Sequence, residues 1–395
     1  MDSHKFDFSD IAPVNDCDFQ AKMAKMVEEP GFIHAVKWVM PDVDYPQFAE
    51  LLKTIKDKET FQHKIMLPFM EMLANKTTAG VSYSGGENLE KDNNYTFITN
   101  HRDIVLDASF LNLCMLRIDR RAAEVAIGNN LLIFDWIDTL VRLNKSFIVK
   151  RDLKQLEALN GAKQLSAYIS HAINDKHESV WIAQREGRAK DSSDHTQESL
   201  IKMLSLEDGD SYAQNLAQKN ICPVAIAYEY DPNDYLKARE FLLKRRDPAY
   251  KKTQRDDLFS METGLLQFKG RVHFSIGKCI TPQIEALPAD IDRHSLIRKT
   301  CEMIDTSIHS GYKIYPINYI AHDLLLNTNT YEAVYTPEER KAFVEHIDSQ
   351  LAKVDVENVT DEERDYMHHM VYTMYANPLI NKVKATNSSD SNPIA

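Results

Sequence analysis

The sequence predicts an α/β fold: a mostly parallel central sheet flanked by helices, with an N-terminal helical region and a C-terminal helical extension. Three observations carry this. Short β-prone runs alternate with helical segments through the middle of the 395-residue chain, as parallel sheets require. Each run of the middle region is bordered by a polar cluster. Before and after this region the apolar residues return at helical spacing, or helix-start motifs appear.

In residues 1–90, Phe48, Leu51, Leu52 and Ile55 recur at helical intervals, as do Phe61, Ile65, Phe69, Met72 and Leu73. Such a stripe is the buried face of a helix bundle. Residues 77–94, with Gly80, Gly85, Gly86 and the pair Asn93-Asn94, read as a loop and a boundary. An α/β core is expected over residues 91–285, with strands at 95–99, 146–149, 180–183, 222–228 and 272–276. Helical segments are expected at 108–116, 153–174 and about 196–204. Residues 286–384 form the expected C-terminal helical extension, where Thr336-Pro337-Glu338-Glu339 and Thr360-Asp361-Glu362-Glu363 read as capped helix starts. Residues 385–395 are polar enough to be a disordered tail.

Hydrophobic residues make up 43% and charged residues 27%, an ordinary globular balance. A formal net charge of −12 argues against a nucleic-acid binder, although partners respond to local field rather than to the total. The one concentration of positive charge, from Lys244 to Arg255, suits anionic headgroups, the phosphates of a donor or an acidic carrier, and equally a solvated loop. Five scattered cysteines without a Cys-x-x-Cys pair speak against a disulfide framework or a zinc ribbon, and buried, reduced thiols are expected. The N-terminal residues contain no signal-type apolar stretch. The longest apolar run, 131–143, is broken by Asp135, Asp138 and Arg142. The expected location is the cytoplasm, with peripheral contact on the inner face of the membrane allowed through Lys244–Arg255.

In parallel sheets ligands bind beyond the carboxyl ends of strands. There the sequence places His101, Asp103 and Asp107, then Lys150, Arg151 and Asp152, then Arg185, Glu186, Gly187, Arg188 and Lys190. A histidine beside a carboxylate is suited to general-base work, because the acid fixes the tautomer and stabilises the imidazolium. Arginines on neighbouring loops suit a phosphate, whose oxygens a guanidinium meets through two parallel hydrogen bonds. Gly187 lets the backbone approach a ligand.

These blocks resemble the glycerol-3-phosphate and 1-acylglycerol-3-phosphate acyltransferase family. The matching residues are Asn100-His101 with Asp107, Phe147-Ile148-Val149-Lys150-Arg151, Glu186-Gly187-Arg188-Ala189-Lys190, and Pro223 opening a later strand, in the family's order over residues 95–230. The resemblance implies an acyl thioester donor, acyl-coenzyme A or acyl carrier protein, and a phosphorylated glycerol acceptor. It implies no metal and no cofactor beyond that cosubstrate. By the resemblance His101 is the base, Asp107 orients it, and Arg151 and Arg188 hold the acceptor phosphate with the Glu186-Gly187 turn. Pro223 shapes the pocket. Two departures stand out. The family's acid position is occupied by Leu106, so Asp107 and Asp103 both remain candidates. The Glu-Gly block is one residue short, so Arg188 or Lys190 supplies its charge.

Competing readings are weaker. His101-Arg102-Asp103 imitates a kinase catalytic loop, but Ala108 stands where an asparagine is needed, and no glycine-rich phosphate loop or Asp-Phe-Gly occurs. No Gly-x-Ser-x-Gly elbow is present for a serine hydrolase. An amino-acid-linked lipid acceptor and a non-catalytic lipid-binding role are the remaining alternatives.

Overall fold

The computed structural model describes residues 6–206 and 211–390. The chain opens with α1 (Asp16–Met26), α2 (Pro30–Val39), α3 (Tyr45–Lys53) and α4 (Lys58–Phe61); α4 runs through a π-turn, Gln62–Met66, into α5 (Leu67–Thr77). Seven strands and eight helices follow. They are β1 (Val81–Ser84), β2 (Thr96–Thr99), α6 (Leu106–Arg117), β3 (Glu124–Gly128), α7 (Asp135–Leu143), β4 (Ser146–Val149), α8 (Gln155–Ser170), β5 (Val180–Ala183), α9 (Glu198–Leu204), α10 (Tyr212–Ala217), β6 (Ile221–Tyr228), α11 (Asp234–Arg246), α12 (Gln254–Leu266), β7 (Val272–Ile276) and α13 (Thr281–Glu285). Four more helices follow among the described residues: α14 (Arg293–Gly311), α15 (Pro316–Leu326), α16 (Pro337–Leu351) and α17 (Asp361–Asp390).

The sheet order is β1-β7-β6-β2-β5-β3-β4. All neighbours pair parallel except β6 and β7, so β7 and β1 run opposite to the other five. The mixed, mostly parallel α/β fold is thus as the sequence predicts. Side chains alternate across the sheet. Ile98, Ile148, Ile182 and Ala225 face α8, α9 and α14, while Phe97, Trp181, Val224, Ile226 and Phe274 face α5 and α6.

Several details differ from the sequence expectation. β1 and β3 were not anticipated. β1 buries only Val81 at a sheet edge, and its three other residues are exposed, so it carries no apolar alternation. It also joins the sheet ahead of residue 90. α14 is a layer of the main core, since Leu296, Ile297, Ile304 and Ile308 pack with the sheet residues. The separate C-terminal cluster is built from α11, α15, α16 and α17, with Leu242, Ile320, Phe343 and Val371 at its centre. Both predicted capping pairs are present. Thr336 and Glu339 exchange hydrogen bonds at 3.1 and 2.8 Å, and Thr360 and Glu363 at 3.3 and 3.0 Å. α17 continues through Asp390 where a disordered tail is expected from residue 385, because Ala385 is buried and Thr386 bonds back to the Lys382 carbonyl. Residues 391–395 lie outside the described residues. Cys114, Cys222 and Cys301 are buried as expected, but Cys17 is exposed. No helix among the described residues is long and apolar enough to cross a membrane.

Candidate active site

β2 is central and fully buried, and it delivers Asn100 and His101 to the carboxyl edge of the parallel strands. The Asn100 side chain bonds both ways with the Ile226 backbone, at 2.8 and 2.9 Å. It thereby extends the β2–β6 ladder by one rung and fixes the direction in which the chain leaves the sheet. The next six residues wrap around one carboxylate. Asp107, in the first turn of α6 and fully buried, accepts the backbone N–H groups of Arg102 and Asp103 on Oδ2 at 2.6 and 3.0 Å. The same oxygen lies 2.8 Å from His101 Nδ1. An oxygen already receiving two donors acts as acceptor, so Nδ1 carries the proton and Nε2 is the basic nitrogen.

The structure separates the two candidate acids. Asp103 Oδ1 accepts from the backbone of Val105 and Leu106 at 2.9 and 2.8 Å, which makes it the cap of α6. Its Oδ2 is buried without a partner among the described residues, and burial together with the neighbouring Asp107 pushes its carboxyl above the usual range. Gly264 of α12 closes over it, since a Cβ there would lie 1.9 Å from Oδ2. Asp103 is therefore no partner of His101. The five-residue spacing works because the turn between His101 and Asp107 is itself hydrogen-bonded to the acid.

His101 Nε2 makes no hydrogen bond among the described residues, and the ring lines a cavity of about 1140 Å³. Trp181 meets the imidazole edge to face at 5.9 Å and is anchored through Nε1 to Thr99 Oγ1 at 3.2 Å. The cavity is largely apolar. α2, α3, the π-turn and α5 contribute Val36, Leu52, Ile65 and Phe69, and α12 contributes Leu258 and Met261. The N-terminal stripe thus serves two purposes: Phe61 and Leu52 pack the bundle and also line the cavity.

The lining also includes charged residues, and Lys150, Arg151, Glu186, Gly187 and Arg188 all reach the cavity. Arg151 lies over Gly128, where a Cβ would sit 2.6 Å from Nε, and pairs with Glu186 at 3.1 Å. Gly187 adopts φ +68°, a left-handed turn that glycine takes without strain. Gln197 Oε1 accepts from the Glu186 backbone at 2.7 Å and closes this loop. Arg188 keeps a buried Nη1 with no hydrogen-bond partner among the described residues.

Three expected site residues are placed differently. Lys150 lines the cavity, but its ammonium is paired with Asp10. Lys190 points away and binds Glu240 at 2.6 Å, which leaves Arg188 as the cation of this block at the cavity. Pro223 is buried within β6 and does not line the cavity. It is tolerated there because pairing with β7 begins one residue later. The Gly277 carbonyl opposite receives the Cys222 thiol at 3.3 Å instead. The basic run is also divided. Lys244 pairs with Glu240, Arg245 with Glu362, and Arg246 with Glu363, which ties α11 to the start of α17. Lys252 lines the cavity.

Sequence reading missed the support behind the turn. The Arg102 guanidinium is buried and binds Asp194 through both oxygens, at 2.9 and 2.5 Å. The Asp194 charge keeps it protonated above its ordinary value despite burial. Tyr312 donates to Asp194 at 2.6 Å, and His309 Nε2 lies 2.9 Å from its carbonyl. Asn377 and Asn381 of α17 hold the same loop through the carbonyls of Asp191 and Ser193, at 2.6 and 3.1 Å. The positive-φ residues Ser192 and Asp194 leave no simple local pattern, and Asp194 lies 92 residues from Arg102.

No protein-family model matches the chain, and no curated protein matches it in sequence. Among solved structures the chain is similar to the 1-acyl-sn-glycerophosphate (LPA) acyltransferase PlsC from Thermotoga maritima. The identity is 14%, the match covers 72% of this chain and 91% of that one, and the TM-score is 0.33.

Proposed function

We propose that the chain is an acyltransferase that moves a fatty acyl group from an acyl thioester to the hydroxyl of glycerol 3-phosphate or its 1-acyl derivative. The observation that carries this reading is the His101–Asp107 pair, whose ring lines a largely apolar cavity that Arg151 and Arg188 also reach. Such a cavity suits an acyl chain and a phosphate at the same time. In the proposed reaction Nε2 takes the proton of the acceptor hydroxyl as its oxygen attacks the thioester carbonyl. The carbon–sulfur bond then breaks, and the imidazolium returns the proton to the leaving thiolate. Asp107 accepts from Nδ1 and stabilises the imidazolium. Arg151 and Arg188 hold the acceptor phosphate.

The test is purified protein incubated with acyl-coenzyme A or acyl carrier protein and a set of acceptors with and without phosphate. Transfer to the phosphorylated glycerol acceptors is expected. His101→Ala should lower it by about a thousandfold or more with the melting temperature preserved. Transfer only to an unphosphorylated lipid would overturn the acceptor, and an undiminished His101→Ala enzyme would overturn the base. Ligand binding without any turnover in the unaltered protein would make this a lipid-binding chain.

A further inference from the structure

The two strands that run against the rest of the sheet carry a second histidine, outside the cavity. β1 and β7 pair in parallel, with Ser82 opposite His273 and Ser84 opposite Ser275. Residues two apart share a face of a strand, so these four polar side chains gather on the face turned away from Phe274. The imidazole bridges the two serines of β1: Nδ1 lies 2.8 Å from Ser82 Oγ, and Nε2 lies 3.0 Å from Ser84 Oγ. Ser82 donates its one proton to the Val272 carbonyl at 3.2 Å, so Nδ1–H donates to the Ser82 oxygen. Nε2 is then the acceptor, and the Ser84 hydroxyl donates to it. Ser275 Oγ stands 3.5 Å from the Ser84 oxygen, at the outer limit of a hydrogen bond. Ser84 is the exposed last residue of β1, and a tight turn follows it. Gly85 takes φ +75°, and a Cβ there would lie 2.0 Å from the Ile276 carbonyl oxygen, so the chain turns hard against β7. Asn88 Nδ2 donates to the same carbonyl at 2.8 Å and pins the turn. The Ser84 hydroxyl is thereby held in the open, with a base on it and a third group orienting the base. Burial, with Lys313 and Lys382 nearby, holds His273 below its ordinary value, which leaves the ring neutral and able to take a proton at neutral pH.

We propose that Ser84 is a nucleophile that takes acyl groups from carboxylic esters and thioesters, with His273 as its general base and Ser82 positioning the ring. As the Ser84 oxygen bonds to the carbonyl carbon, its proton passes to Nε2. The carbon–oxygen or carbon–sulfur bond to the leaving group breaks, and the leaving group takes that proton. Water, deprotonated by the same nitrogen, then releases the acyl group from Ser84 as the free acid. β1 and β7 run opposite to the other five strands, so Ser84 lies at the sheet edge away from His101. None of the four residues lines the His101 cavity. A hydroxyl orients the ring without stabilising the imidazolium by charge, so turnover is slower than at a histidine backed by a carboxylate.

The test is treatment of the full chain with a fluorophosphonate ester, from which an activated serine displaces fluoride, and location of the adduct by peptide mass spectrometry. Phosphonylation of Ser84 is expected, slowed about a hundredfold in His273→Gln. p-Nitrophenyl acetate should acetylate the same residue. Glutamine keeps an amide between the two serines, and the melting temperature of this variant separates a lost base from a frayed strand. Ser82→Ala should slow labelling about tenfold, and Ser82→Thr, which keeps the hydroxyl, should restore it. An unlabelled Ser84 in the unaltered chain overturns the nucleophile, and a folded His273→Gln chain labelled at the unaltered rate overturns the base. Either result leaves these side chains as a hydrogen-bonded seam between β1 and β7.

Discussion

The turn at residues 100–107 and the charged rim at residues 150–188 face the same cavity, and they are built in opposite ways. In the turn, one fully buried carboxylate, Asp107, receives three N–H donors, and Arg102, the residue after His101, is locked into a buried ion pair. At the rim, the Arg151 and Glu186 side chains keep 31% and 69% of their surface exposed and share a single ion pair. A base must be held in one geometry before the substrate arrives, because orientation settled in advance costs nothing at the moment of reaction. A phosphate clamp can exchange a weak surface partner for the ligand, since exposed ion pairs contribute little. On the proposed reaction, the difference separates residues that would set the rate from residues that would set the affinity.

The largest effect is expected inside the turn. Asp107→Asn keeps an amide oxygen toward the three N–H donors but takes away the negative charge that stabilises the imidazolium. We expect kcat to fall by about 10²–10⁴-fold with KM little changed, measured in steady state. Behind the turn, Asp194→Asn leaves the Arg102 charge buried beside a neutral amide. The loss should be about 3–5 kcal/mol of unfolding free energy in denaturant titration. A variant that melts like the unaltered protein would show that the pair does not brace the turn.

Lys269 probes the same interior through pH. It is fully buried, and burial holds its ammonium down at about 8, against an ordinary 10.5. A depressed folded value means that the cost of the buried charge is present in full below pH 8. That cost is relieved as pH rises toward 10.5. Stability should therefore rise across this window, and Lys269→Met should lack up to about 3 kcal/mol of that rise. Parallel stability–pH curves for the two proteins would contradict this.

At the rim, Arg151→Ala should raise KM for a phosphorylated acceptor about tenfold to a hundredfold while kcat changes less, as expected for a lost charge-assisted phosphate contact. The smallest effect is reserved for Asp103→Asn, because asparagine caps a helix as well as aspartate does. Stability within about 1 kcal/mol and activity within about tenfold are expected. A loss as large as that of Asp107→Asn would erase the distinction between the two acids.

Much of this was legible in the chain. The strands at 146–149, 180–183 and 272–276 match their predicted bounds, because short β-branched and aromatic runs between polar turns have few other uses. β1 and β3 were not legible, since β1 buries only Val81 and β3 only its two end residues, so neither carries an apolar alternation. His101, Arg151, Glu186, Gly187 and Arg188 share one cavity because each follows a parallel strand. The positions of Lys150 and Lys190 were equally readable, but their partners, Asp10 and Glu240, were not.

The sequence by itself determined the α/β architecture and the order in which polar residues leave the strands. Periodicity and strand direction are local properties, and strand direction places every such residue at one edge of the sheet. Only the tertiary structure decided that Asp107 serves His101 while Asp103 caps α6, that Pro223 stays in the sheet, and that α17 reaches back to hold the 191–194 loop. Those outcomes depend on hydrogen bonds with a definite distance and direction, several of them made across a hundred residues or more, and spacing along a chain does not specify such bonds.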